Sequence, residues 1–148
     1  MNLVRFILNG KEIEVKVDNG ELLIDTLRNR LNIKSVKHGC GIGECGTCTV
    51  LIDNNPVYSC LTLTETVKGK SVTTVEGIDS EKLKNSFIEH GAVQCGFCTP
   101  GMLLVGYSLL QKKEKITKEK IKEAISGNLC RCTGYNQIIE AIEHVCKN

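Results

Sequence analysis

The chain has 148 residues, enough for one ordinary domain or two small ones. Aromatic residues make up 4% with no Trp, so a core must draw mainly on Val, Ile and Leu. A net charge of +2 argues against a nucleic-acid binder that works through a basic surface, and no apolar run approaches the length needed to cross a bilayer.

Residues Leu3 to Leu8 and Ile13 to Val17 are rich in strand formers and flank Asn9-Gly10, the strongest short hairpin signal. Leu22, Leu23, Leu27 and Leu31 then recur at helical spacing with no Pro or Gly between them. A glycine-rich loop, Gly39 to Gly46, follows. Thr49 to Ile52 and Val57 to Leu63 read as strands around an Asn54-Asn55-Pro56 turn, and Ser71 to Val75 as a last strand. This order is that of a β-grasp ferredoxin.

Past Gly77 the apolar period changes from 2 to 3.6. Ser80 predicts a capped helix to about His90, burying Leu83, Phe87 and Ile88 and stopped by Gly91. Thr99-Pro100 reads as a cap followed by Pro at the first helical position, opening a helix through Met102, Leu103, Leu109 and Leu110. Thr117 opens a third helix with Ile121 and Ile125 inward and Gly127-Asn128 at its end. A fourth runs from about Tyr135 to Cys146, with Ile138, Ile139, Ile142 and Val145 on one stripe. Four short helices suggest a small bundle. The expected fold is α+β: a plant-type β-grasp ferredoxin domain over residues 1–76 and a four-helix-bundle [2Fe–2S] domain over residues 77–148. Domains this small are marginal without a staple such as a metal site.

Eight of the nine cysteines supply one such site to each half. Cys40, Cys45, Cys48 and Cys60 read C-x4-C-x2-C with a distant fourth cysteine, the plant-type [2Fe–2S] spacing. Cys95, Cys98, Cys130 and Cys132 join a C-x2-C to a C-x-C across a long insert. Nine cysteines cannot all pair, and the N-terminal residues alternate like a strand rather than forming a signal peptide's apolar block. Both features point to a reduced, cytoplasmic setting, where clustered cysteines mean metal.

A [2Fe–2S] cluster with four thiolates is an anion whose charge grows on reduction, and burying it requires backbone N–H dipoles around the sulfurs. Gly39, Gly41, Gly43 and Gly46 let the first loop turn its amides inward. Structural zinc uses the same thiolates, but its loops rarely need four glycines among eight residues. At the second set a four-cysteine zinc site is the alternative, although a C-x-C opposite a C-x2-C is unusual for a zinc ribbon. Both of its pairs precede expected helix N-termini, where partial positive charge favours thiolate.

GCGIGECGTCTV at 39–50, QCGFCTPGM at 94–102 and GNLCRCTGY at 127–135 resemble the three motifs of the iron–sulfur subunit of molybdenum hydroxylases, the xanthine dehydrogenase and aldehyde oxidase family. The resemblance spans essentially the whole chain. It implies two [2Fe–2S] clusters acting as an electron relay, with molybdopterin and FAD on partner subunits. By that resemblance Cys95, Cys98, Cys130 and Cys132 hold the cluster nearer molybdenum, and Cys40, Cys45, Cys48 and Cys60 the one facing FAD. Gln94 matches a glutamine that hydrogen-bonds the pterin, and Cys132 a ligand whose sulfur approaches the pterin amino group. On the residues alone, Gln94 equally serves as a cap for local backbone.

The implied complex is xanthine dehydrogenase-like, with the related aldehyde, nicotinate and carbon monoxide dehydrogenases as alternatives. A free two-cluster ferredoxin and a zinc-stabilised interaction module are the readings from other classes. His38 reads as a loop-surface residue, because four cysteines already complete the first set. Cys146 reads as a small apolar side chain, and the lysine-rich stretch from Lys112 to Lys120 as a solvated loop. Arg131, between two candidate ligands, either offsets cluster charge or contacts a partner.

Overall fold

The computed structural model describes residues 1–148. Strands β1 (Asn2–Leu8) and β2 (Lys11–Val17) form an antiparallel hairpin whose alternation buries Val4, Phe6, Val15 and Val17. Asn9 and Gly10 both take positive φ, as a two-residue hairpin turn requires. Helix α1 (Leu23–Asp25) widens at once into a π-turn over Thr26–Arg30, burying Leu23, Ile24 and Leu27. The expected regular helix gives way where the buried Thr26 hydroxyl bonds Glu21 and Thr64, and Leu31 N–H reaches back to Thr26 O at 3.0 Å.

Strands β3 (Thr49–Ile52), β4 (Asn55–Tyr58) and β5 (Ser71–Thr73) complete a mixed five-stranded sheet of order β2-β1-β5-β3-β4, with β5 parallel to β1. The β3–β4 turn lies at Asp53-Asn54, both at positive φ, one residue ahead of the expected Asn54-Asn55-Pro56. Pro56 is therefore inside β4, which tolerates it as an edge strand. The expected strand Val57 to Leu63 ends at Tyr58 and becomes a 3-10 turn over Ser59–Leu61. Ser59 bends the chain by donating its N–H and hydroxyl to Cys48 O at 3.3 and 2.7 Å. Likewise β5 stops short of Val75, because Asn9 Oδ1 takes the Thr74 N–H that would extend it.

The C-terminal half arranges α2 (Glu81–Glu89), α3 (Thr99–Leu110), α4 (Lys118–Ile125) and α5 (Asn136–Lys147) around one apolar core. None is long and apolar enough to cross a membrane. Leu83 and Phe87 of α2 are buried, but Ile88 is 71% exposed, against expectation. It falls one residue beyond the inward stripe, which Ser86 occupies by donating to Ala141 O at 2.7 Å. Ser80 makes no capping bond. Thr117 does, accepting from Lys120 N at 3.3 Å, and α4 buries Ile121 and Ile125. Helix α5 buries Ile138, Ile139 and Ile142 as its stripe requires.

A second core lies between the sheet and α1. The two cores meet at a seam of backbone contacts, with Leu51 of β3 packed into the helical one. Tyr58 donates its hydroxyl to Gly127 O at 2.8 Å, and Asn128 Nδ2 donates to Gly46 O at 2.9 Å. Leu129 N–H donates to Cys45 O at 2.8 Å. Gly46 sits at φ 71°, and a Cβ there would overlap the Gly127 carbonyl oxygen. Gly69 has a similar φ of 74° with open space around it.

The pair separates backbone strain from the seam. Gly69→Ala is expected to cost about 1–2 kcal/mol, and Gly46→Ala roughly 2–4 kcal/mol because the seam must also open. Denaturant unfolding of the two variants checks the difference; equal losses would mean that the seam carries no stability of its own.

Candidate metal centres

The first site is a loop folded around its own sulfurs. Ile42, Glu44 and Cys45 direct their N–H groups at Cys40 Sγ, at 3.4, 3.3 and 3.3 Å, and Cys40 N–H points at Cys45 Sγ at 3.4 Å. These amides, Ile42 first, bring the Cys40 thiol down to about 6. Cys48 and Cys60 are buried at the base, where desolvation pushes Cys48 up to about 11. The Ser59 bend brings the distant fourth cysteine, Cys60, against Cys48. Cys40 is exposed and Cys45 half-buried, so the site opens on one side.

The second site joins two loops of the helical half. Cys98 occupies the position preceding α3, one residue earlier than the expected Thr99 cap, and Thr99 Oγ1 has no partner. Burial, reinforced by Cys130, pushes the Cys98 thiol up to about 12. The expected lowering by a helix N-terminus is thus outweighed by desolvation. At Cys130 burial also opposes ionisation, but the Thr133 hydroxyl and N–H, at 3.1 and 3.5 Å from Sγ, win and lower the pKa. Phe97 N–H approaches Cys95 Sγ at 3.5 Å. Cys95 and Cys132 are exposed. Gln94, also exposed, donates from Nε2 to Cys132 O at 3.0 Å, which is the backbone-capping contact weighed from sequence.

The two sites adjoin. Cys40 and Cys45 share one cavity of about 470 Å³ with Cys95, Cys98, Cys130 and Cys132. Leu129, whose N–H bonds Cys45 O, is the chain neighbour of Cys130. Tetrahedral zinc requires all four sulfurs about 2.3 Å from one point. A [2Fe–2S] cluster divides four thiolates between two irons, and donor sets of four sulfurs with amides aimed at them suit that group.

The remaining candidates divide. His38 is exposed beside Gly41, as a loop-surface residue. Cys146 packs half-buried against the helical core. Arg131 is exposed and lines the shared cavity. Sequence reasoning missed the hydroxyls of Thr47 and Thr133 on candidate ligand sulfurs, and Tyr135, whose hydroxyl accepts from Cys130 N–H at 3.1 Å. The available signal was a Thr or Tyr within five residues of a ligand cysteine.

Family comparison matches residues 6–72 to the 2Fe-2S iron-sulfur cluster binding domain and residues 74–143 to the [2Fe-2S] binding domain. The nicotine 6-hydroxylase small subunit of Paenarthrobacter nicotinovorans is 46% identical, over 91% of this chain and 84% of its own length. A probable xanthine dehydrogenase subunit from Bacillus subtilis (strain 168) is 39% identical, over 93% of this chain and 81% of its own. Among solved structures, quinoline 2-oxidoreductase from Pseudomonas putida 86 superposes with a TM-score of 0.91 at 42% identity, covering 98% of this chain and 92% of that one. With two [2Fe–2S]-binding domains in tandem, the chain belongs to the iron–sulfur small subunits of the molybdenum hydroxylase family.

Proposed function

We propose that this chain is the electron-transfer subunit of a cytoplasmic, xanthine dehydrogenase-like molybdenum hydroxylase. It carries electrons singly from a molybdopterin centre on a catalytic subunit to FAD on another. Residues 1–76 form its β-grasp ferredoxin domain and residues 77–148 its four-helix domain. The observation that carries this reading is the Leu129 N–H to Cys45 O hydrogen bond, which links the two ligand sets through one bond and one peptide. A [2Fe–2S] cluster held at each set supplies one-electron redox chemistry, with a potential tuned by hydrogen bonds and exposure.

The chain's own residues hold the candidate ligands, direct amides at their charge and leave a cysteine of each site exposed. Cys40 is exposed at the first and Cys95 and Cys132 at the second. Gln94 uses one N–H on Cys132 O, and its other N–H and its carbonyl oxygen remain to meet a pterin edge. By the family resemblance the second set faces molybdopterin and the first faces FAD. Ile42 and Leu61, 67% and 61% exposed, stand at the first loop, and Phe97 and Leu129, 45% and 52% exposed, at the shared cavity. Large apolar side chains around both openings favour a subunit covered by partners over a free carrier ferredoxin. The related nicotine, xanthine and quinoline enzymes are named for nitrogen heteroaromatic substrates, a class that includes the xanthine-like substrate proposed here.

In the assembled enzyme, Cys45→Ser or Cys48→Ser is expected to cripple the first cluster and slow FAD reduction by substrate by more than the roughly 10–100-fold that loss of an outer-shell partner costs, with molybdenum still reducible. Stopped-flow spectroscopy reads both steps, and FAD reduction at the full rate would overturn the order. Gln94→Ala is expected to slow electron departure from molybdenum about tenfold with both clusters retained. If the second cluster disappeared in that variant, Gln94 would be a structural residue.

A further inference from the structure

Each ligand set contains one cysteine sulfur approached by a buried threonine hydroxyl. Thr47 Oγ1 lies 3.2 Å from Cys45 Sγ, and Thr133 Oγ1 lies 3.1 Å from Cys130 Sγ. The two threonines are 5% and 6% exposed, so water does not compete for either hydroxyl. A metal-bound thiolate has no proton, which leaves the hydroxyl as the only possible donor in each pair.

We propose that Thr47 and Thr133 raise the reduction potentials of the two clusters, each acting on its own cluster through one ligand sulfur. An added electron increases the negative charge on the thiolates, and a donor fixed at a sulfur stabilises the reduced form more than the oxidised one. Both threonines are therefore positioning residues, and each sets how readily its site accepts an electron.

The two devices differ in strength. Thr133 Oγ1 accepts from Tyr135 N–H at 3.5 Å, which leaves its own proton for Cys130, and Thr133 N–H reaches the same sulfur at 3.5 Å. The single proton of Thr47 is divided between Cys45 Sγ and Lys37 O, the latter at 3.5 Å. A Cβ at Gly39 would lie 2.7 Å from Cys45 Sγ and 2.9 Å from Thr47 Oγ1, so glycine at that position is what admits the contact. Removing the hydroxyl consequently shifts the second cluster more than the first.

The inference rests on both cysteine sets holding [2Fe–2S] clusters, and two EPR signals in the reduced protein test that separately from any shift in potential. Redox titration of those signals in the assembled enzyme reads the proposal. Thr133→Val is expected to lower the second midpoint by roughly a tenfold change in electron occupancy, about 59 mV for a one-electron couple. Thr47→Val is expected to lower only the first midpoint, and by less. Thr→Ser at either position is expected to restore the original value, because the hydroxyl returns. Unchanged midpoints with intact signals would overturn the proposal, as would either variant moving both midpoints equally. Where a valine variant fails to load its cluster, the alanine variant is titrated instead. If alanine also failed while serine loaded, the hydroxyls would serve assembly and the proposal would fall.

Discussion

The rest of the molecule depends on a seam of hydrogen bonds to main-chain carbonyls that ties the loop carrying Cys45, and Tyr58 of β4, to the loop that leads into Cys130. Leu129 N–H bonds Cys45 O, Asn128 bonds Gly46 O and Tyr58 bonds Gly127 O. Backbones approach this closely only where side chains are missing, and glycine stands at Gly46, Gly101 and Gly127. Added bulk at any of the three would strike the opposite wall: the Gly127 carbonyl, the Gly46 carbonyl or the Tyr58 hydroxyl. The seam fixes the two candidate ligand sets in one orientation, so the link between them is set by hydrogen-bond geometry instead of by a flexible hinge.

Within each half the same problem is solved twice. Thiolate charge has to be held in a protein interior, and it is met by N–H and O–H donors aimed at sulfur. The first loop meets it mainly with backbone: three amides converge on Cys40. The second relies more on side chains, with the Thr133 hydroxyl on Cys130 and Tyr135 accepting the Cys130 N–H. Two buried thiols, Cys48 and Cys98, resist ionisation when free, whereas Cys40 favours it. Desolvation, not a helix dipole, decides the behaviour of Cys98.

Much of this was legible in the residue string. The Asn9-Gly10 hairpin and the stripes of α4 and α5 are local patterns with a local physical cause, and the structure repeats them. The departures have tertiary causes. The strand expected to reach Leu63 is bent at Ser59 by a bond to Cys48 O, eleven residues away. Ile88 faces outward because Ser86 finds a carbonyl on α5. Asn128, which read as no more than a helix end, is a buried tie between the halves. No periodicity announces such contacts, since their partners lie far along the chain.

The central claim is that this chain holds two neighbouring [2Fe–2S] clusters. Metal and sulfide analysis of anaerobically purified protein, with EPR at partial and full reduction, tests it most directly. The account predicts about four irons and four sulfides per chain, and two distinct signals that broaden or split each other when both clusters are reduced. One signal together with bound zinc would contradict it, leaving a single-cluster ferredoxin half joined to a zinc-stapled helical one and no relay between them.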